Sequence, residues 1–133
     1  RIYVTTFQQS ADLFFGGNAE SNPADGVMVN GYRIRVKNSS SKIALDSLSA
    51  GTKNVQVGTT IAQSDTVGLS LDQWSEVVVS MESGVLTVKV NGAVGLTYSM
   101  PDYDPAPDSY VVLGVNASSG NGIVDDVSLR VAS

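Results

Sequence analysis

The segment MPDYDPAPDSY (100–110) holds Asp102, Asp104 and Asp108 together with Tyr103 and Tyr110. An aromatic ring stacks on the apolar face of a sugar, and neighbouring carboxylates accept its hydroxyl protons. The same oxygens also suit a calcium ion. Pro101, Pro105 and Pro107 stiffen the segment and keep it extended. With no ligand to bind, the segment is a solvated crossover between two sheets. Tyr103, Asp102 and Asp104, joined by Asn116, are the candidate ligand-binding residues.

A second pair of acids stands in the closing stretch GNGIVDDVSLRVAS. Successive side chains of a strand point to opposite faces. A strand over Ile123–Val131 therefore aligns Asp125 with Ile123, Val127, Leu129 and Val131, on the face expected to be apolar. A buried carboxylate is costly unless it is hydrogen-bonded or paired with a cation. One solution is local: the acid accepts backbone N–H groups of the Ser119–Gly122 turn.

Cations and aromatics complete the inventory. Arg33, Arg35 and Lys37 form a row on one strand face, opposite Tyr32, Ile34 and Val36. On a concave sheet that row would meet an anionic sugar or a partner's carboxylates; on a solvated face it discourages edge aggregation. Trp74 is the sole tryptophan. Exposed, it would stack on a sugar; buried, it would pack beside a long strand. Phe14 and Phe15 are adjacent, so in a strand one of them faces outward. Asn38-Ser-Ser and Asn116-Ala-Ser read as glycosylation sequons.

Several chemistries are excluded by what is missing. There is no histidine and no cysteine, which removes disulfides, thiolate metal sites and the commonest general base. Glycoside hydrolysis needs two carboxylates flanking the bond. The only glutamates are Glu20, Glu76 and Glu82. Glu76 and Glu82 fall on one strand face but ~20 Å apart. Nucleophile-elbow, phosphate-loop and zinc motifs are absent, so no enzyme is expected.

A formal net charge of −5 with only 8 Lys and Arg argues against a nucleic-acid partner. No apolar run approaches the ~20 residues of a membrane span, so no membrane insertion is expected. The chain opens without Met or a signal-peptide pattern, the mark of a processed or excised piece. Low charge with abundant Ser, Thr, Gly and Asn suits a secreted bacterial, archaeal or viral protein.

These residues must be positioned by strands, because no segment has a helical period. Val, Thr, Ile and Tyr dominate the periodic segments, and Gly, Asn, Ser and Asp separate them. The expected strands are Ile2–Gln8, Asp12–Gly16, Gly26–Val29, Tyr32–Lys37, Lys42–Ser47, Asn54–Val57, Trp74–Met81, Val85–Val90, Leu96–Tyr98, Tyr110–Asn116 and Ile123–Val131. Loops over 18–25, 58–71, 101–109 and 117–122 join them. Asn30-Gly31 and Asn91-Gly92 predict tight hairpins, and Gly84 a third turn. At 133 residues the chain is one domain, an antiparallel two-sheet sandwich of all-β class.

The order NGYRIRV (30–36), KIALDSL (42–48), DQWSEVVVSMESGVLTVKVNG (72–92) and YVVLGVNASSGNGIVDDVSLRV (110–131) resembles the concanavalin A-like lectin and glucanase superfamily. Within it the order is similar to the laminin-G-like and carbohydrate-binding-module branches. The resemblance covers roughly 26–131. It implies a jelly roll with Trp74 in the core beside the long strand. It also implies a structural calcium (Ca2+) held near the N-terminal strand by Asp125 or Asp126. Such domains carry an opening strand before the stretch matching Tyr3–Gln8. Here that strand is absent, removed or supplied by another chain.

Two functions follow from this reading. The first is a non-catalytic carbohydrate-binding, lectin-like module of an extracellular or surface protein, with a polysaccharide or glycan as partner. The second is a structural subunit of a surface layer, filament or virion, self-associating through an open sheet edge.

Overall fold

Alternation of branched and polar residues carries most of the chain into strands. The computed structural model describes residues 1–5, 9–17, 31–39, 41–50, 56–104, 110–117 and 122–128. Among the described residues there are 11 strands and no helix. They are β1 (Ile2–Val4), β2 (Gln9–Gly17), β3 (Gly31–Lys37), β4 (Ile43–Ala50), β5 (Gln56–Ser64) and β6 (Trp74–Ser75), then β7 (Val77–Glu82), β8 (Val85–Val90), β9 (Ala93–Ser99), β10 (Tyr110–Ala117) and β11 (Gly122–Val124).

One sheet has five strands in the order β10-β2-β3-β4-β5. Two three-stranded sheets, β11-β1-β6 and β7-β8-β9, complete the sandwich. Among the described residues every pairing between these strands is antiparallel. Only Glu76 separates β6 from β7, and Asn91 holds that break: Glu76 N–H donates to Asn91 Oδ1 at 2.9 Å, and Asn91 N–H donates to the Glu76 carbonyl at 2.8 Å.

All three sheets contribute to one apolar core. Phe15, Ile34, Val36, Ile43 and Leu45 come from the large sheet, Ile2 and Val4 from β1, and Leu86, Val88, Val90 and Leu96 from β8 and β9. Burying each Leu, Ile or Phe contributes about 1.5–3 kcal/mol. The expected alternation holds in β3 and β8, where Ile34, Val36, Leu86, Val88 and Val90 all face inward. Asn91 and Gly92 both adopt positive φ (50° and 81°), as a type I′ hairpin requires, and Ser83-Gly84 repeats the device at 49° and 73°.

Four expectations are corrected. Residues 58–64 are strand, not loop. Most of them are exposed, so backbone pairing to β4 across a bulge carries β5 where burial gives no signal. The strand expected over Trp74–Met81 breaks at Glu76. Trp74 is 40% exposed, because Ser75 takes the inward position and Trp74 sits opposite Tyr3 on the outer face. The last strand, finally, stops at Val124. Val124 pairs with buried Ile2 and packs on the core, so the inward parity is the reverse of that expected. Ile123 (53%) and Val127 (59%) are exposed. The expected strand Gly26–Val29, Asn30 of the first hairpin, and Leu129 and Val131 lie outside the described residues. Asn38 is buried, which removes the first sequon from reach.

Candidate functional site

The end of β9 delivers the chain into a turn that carries the predicted ligand residues. Met100, buried, anchors it: Met100 N–H donates to the Gly84 carbonyl at 2.6 Å, and Tyr103 N–H donates to the Met100 carbonyl at 3.1 Å. Pro101 fits the second position of such a turn, since its φ is already set. Asp102 and Asp104 are exposed, and Tyr103 between them is half-buried.

Tyr103 is held by two aromatics from the large sheet. Phe15 and Tyr32 stack with ring centroids 5.5 Å apart. The Tyr103 ring meets Phe15 edge-on at 5.9 Å and Tyr32 at 6.1 Å. Such geometry is favourable by about 1 kcal/mol per pair beyond burial. Gly16, at φ 75°, lets this ring approach: a Cβ there would stand 3.3 Å from Tyr103 Cε2 and 3.4 Å from Tyr32 Cδ2. Burial, with Tyr32 beside it, pushes the Tyr103 phenol above its ordinary pKa, so it stays protonated at neutral pH.

Two hollows flank this ring. The larger, about 360 Å³, has Gly16, Gly31, Tyr32 and Ser47 on one side and Asp102, Tyr103 and Asp104 on the other. The smaller, about 220 Å³, is lined by Ile61, Tyr98, Ser99 and Met100 and shares Tyr32, Asp102 and Tyr103 with the first. The structure thus brings together Tyr103, Asp102 and Asp104. It separates Asn116 from them: β10 pairs Asn116 with Ser10, while Tyr110 pairs with Gly17 at the other end of β2. Six residues of strand, ~20 Å, lie between Ser10 and Gly16. The Asn116 side chain itself lies outside the described residues, as do Asp108 and Pro105 to Pro107.

Asp125 and Asp126 engage Arg1. The Arg1 guanidinium stands 3.3 Å from Asp125 Oδ2 and 2.6 Å from Asp126 Oδ2. It also lies over the Trp74 ring, 5.1 Å from its centroid, and Trp74 meets Tyr3 at 5.6 Å. Asp125 is exposed, and its Oδ1 accepts from the Asp126 N–H at 2.7 Å, which suits a residue that ends a strand. Calcium takes six to eight oxygens. No group of three or more His, Cys, Asp or Glu forms a metal cluster among the described residues. These two carboxylates face a guanidinium, which a calcium ion held there would have to displace.

The buried acids are elsewhere. Asp46 on β4 is fully buried on the face of the large sheet opposite the core. Arg33 Nε donates to its Oδ2 at 2.9 Å, while Arg35 and Thr60 donate to its Oδ1 at 3.1 and 2.8 Å. Burial pushes this carboxyl up, but the hydrogen bonds from Arg35, Thr60 and Arg33 outweigh it and hold the pKa below the ordinary carboxylate value. Asp12 on β2 is also buried; burial raises its pKa, and the Ser10 hydroxyl, donating at 2.7 Å, offsets only part of that. Arg33 and Arg35 of the cation row are therefore paired with Asp46. Asp46 was the missed partner. Its signal is in the sequence: alternation in KIALDSL places Asp46 on the face opposite Ile43 and Leu45.

An all-β structure of antiparallel sheets packed on one core is the architecture of a concanavalin A-like sandwich. The chain belongs to the Laminin_G_3 family of the Concanavalin A-like lectin/glucanases superfamily, whose family model matches residues 1–130. A search of curated proteins and a search of solved structures each found no match. Among the described residues no helix is long and apolar enough to cross a membrane.

Proposed function

We propose that this domain is a non-catalytic carbohydrate-binding module of an extracellular or surface protein, and that the Tyr103 cleft is its glycan site. One observation carries the reading: a half-exposed tyrosine, fixed by Phe15 and Tyr32, stands between two hollows with Asp102 and Asp104 at the rim. A ring fixed in advance stacks on a sugar without a further ordering cost. Ionised carboxylates accept hydroxyl protons in strong hydrogen bonds. Both acids stand on the turn that carries Tyr103, and in this reading they serve as hydroxyl acceptors.

A glycan array is the test, with surface plasmon resonance on variants. Asp102→Asn and Asp104→Asn each weaken binding about tenfold, the equivalent of about 1.4 kcal/mol. Tyr103→Ala abolishes detectable binding. An array without hits, or a hit that ignores all three variants, removes the reading.

A structural role in a surface layer, filament or virion is the second reading, supported by one feature. Among the described residues β10 is an edge strand, and its Val111 (40%) and Leu113 (45%) are exposed.

A further inference from the structure

We infer that the cleft takes two consecutive units of an uncharged glycan chain, one in each hollow, with the Tyr103 ring between them. The inference rests on the glycan-binding reading above and adds the substrate class to it.

The two hollows are not independent sites. They share Tyr32, Asp102 and Tyr103, so a ligand leaving one enters the other along the same ring. Their chemistry differs. The larger presents Ser47, Asp102 and Asp104 beside the glycines 16 and 31, a surface of acceptors and backbone that suits hydroxyls. The smaller presents Ile61, Tyr98 and Met100, a surface that suits the C–H face of a ring. A sugar held by its hydroxyls in the first hollow therefore places its neighbour beside Ile61 and Tyr98 in the second.

Charge selects among glycans. Among the described residues lining either hollow there are acids but no Lys or Arg. The arginines of the large sheet are unavailable: Arg33 and Arg35 are bound to Asp46 on the opposite face. A uronate or sulfate in the cleft would face Asp102 and Asp104 with no compensating cation, and like charges so placed reject a ligand.

The test is calorimetry with ladders of one to four units. Cello-, xylo- and manno-oligosaccharides are the uncharged probes, and oligogalacturonates and heparin oligosaccharides the anionic ones. The expected result is an uncharged ladder whose affinity rises at least about tenfold from one unit to two, with no anionic ladder bound. Ser99→Glu, which puts a charge into the lining of the smaller hollow, lowers the two-unit affinity by a larger factor than the one-unit affinity. Ile61→Asp, on β5, does the same. Equal affinity for one and two units, or preference for an anionic ladder, overturns the inference and leaves glycan binding standing. Binding of none of the ladders, together with an array that has no hits, overturns both.

Discussion

Asp46 shows what a single buried charge demands of its surroundings. Arg33, Arg35 and Thr60 converge on it from two neighbouring strands, and Gly58 on β5 leaves room for the Arg33 guanidinium, 2.9 Å from where a Cβ would stand. Removing the acid leaves two partly buried guanidinium groups without a counter-charge. Asp46→Ala is expected to cost about 3 kcal/mol by urea denaturation. Asp12, on the same face, works in the opposite sense with pH. Its folded pKa lies above the ordinary value, so just above that value the native chain holds a proton the unfolded chain has lost. Stability there falls as pH rises. Asp46 ionises below the ordinary value when folded, so its contribution is full above the unfolded pKa and is lost as pH falls through the folded one. Urea melts between about pH 3 and 8 should show both slopes. Asp12→Asn is expected to remove the fall on the upper side, while Asp46→Asn removes the acid-side loss. A wild-type profile that rises monotonically from acid to neutral pH would contradict the Asp12 assignment.

At the scale of elements, the joints between sheets are tighter than the ends of strands. Gly95 sits at the β8–β9 bulge, and a Cβ there would run into the side chains of Ile43 and Val67. Overpacking of this kind costs about 2 kcal/mol, so Gly95→Ala should lower the urea midpoint with an unchanged slope. The β1–β11 end is looser. Arg1, Asp125 and Asp126 are all about half exposed, and such ion pairs contribute under about 1 kcal/mol. Asp125→Asn is expected to shift stability by no more than that. Calcium would have to displace the guanidinium, so titration to millimolar calcium should leave Tm where it was; a rise would show an ion held by the native state. The same contrast explains what the sequence made legible. Where side chains alternate, as in Tyr32–Val36 and Leu86–Val90, strand and inward face were both readable. Two hairpins were readable, at Asn91-Gly92 and at Gly84, where the turn residues take positive φ. β5 was not, because exposed Gly, Thr and Gln carry no burial pattern and the strand exists through its pairing with β4. Trp74 and Asp125 were misread for a related reason. Inward parity on β6 and β11 is set by their register with Ile2 and Tyr3 of β1, and neighbouring residues cannot report a register. Tyr103, Asp102 and Asp104 were legible as a set because one turn holds them. The Phe15–Tyr32 floor beneath them needed the fold.

For the whole molecule, the open question of assembly is one of charge against exposed apolar edge. A net charge of −5 on every copy opposes close approach at low ionic strength. Against it stand Val111 and Leu113 of the edge strand β10, exposed although Leu113 pairs with Leu13, which packs on the core. An edge strand with apolar side chains invites a second chain. The β10 edge bears on the glycan cleft differently in the two readings. As a binding module the domain works as a monomer, and sedimentation velocity from micromolar to near-millimolar protein should show one species at low salt. As a structural subunit it forms a ring or polymer through that edge. Leu113→Lys then separates the readings, since a lysine on an edge strand opposes strand addition. The expected outcome is an unchanged monomer that retains its glycan affinity, because the Tyr103 turn does not draw on Leu113. A wild-type polymer that Leu113→Lys dissolves would move the function to assembly and make the cleft secondary.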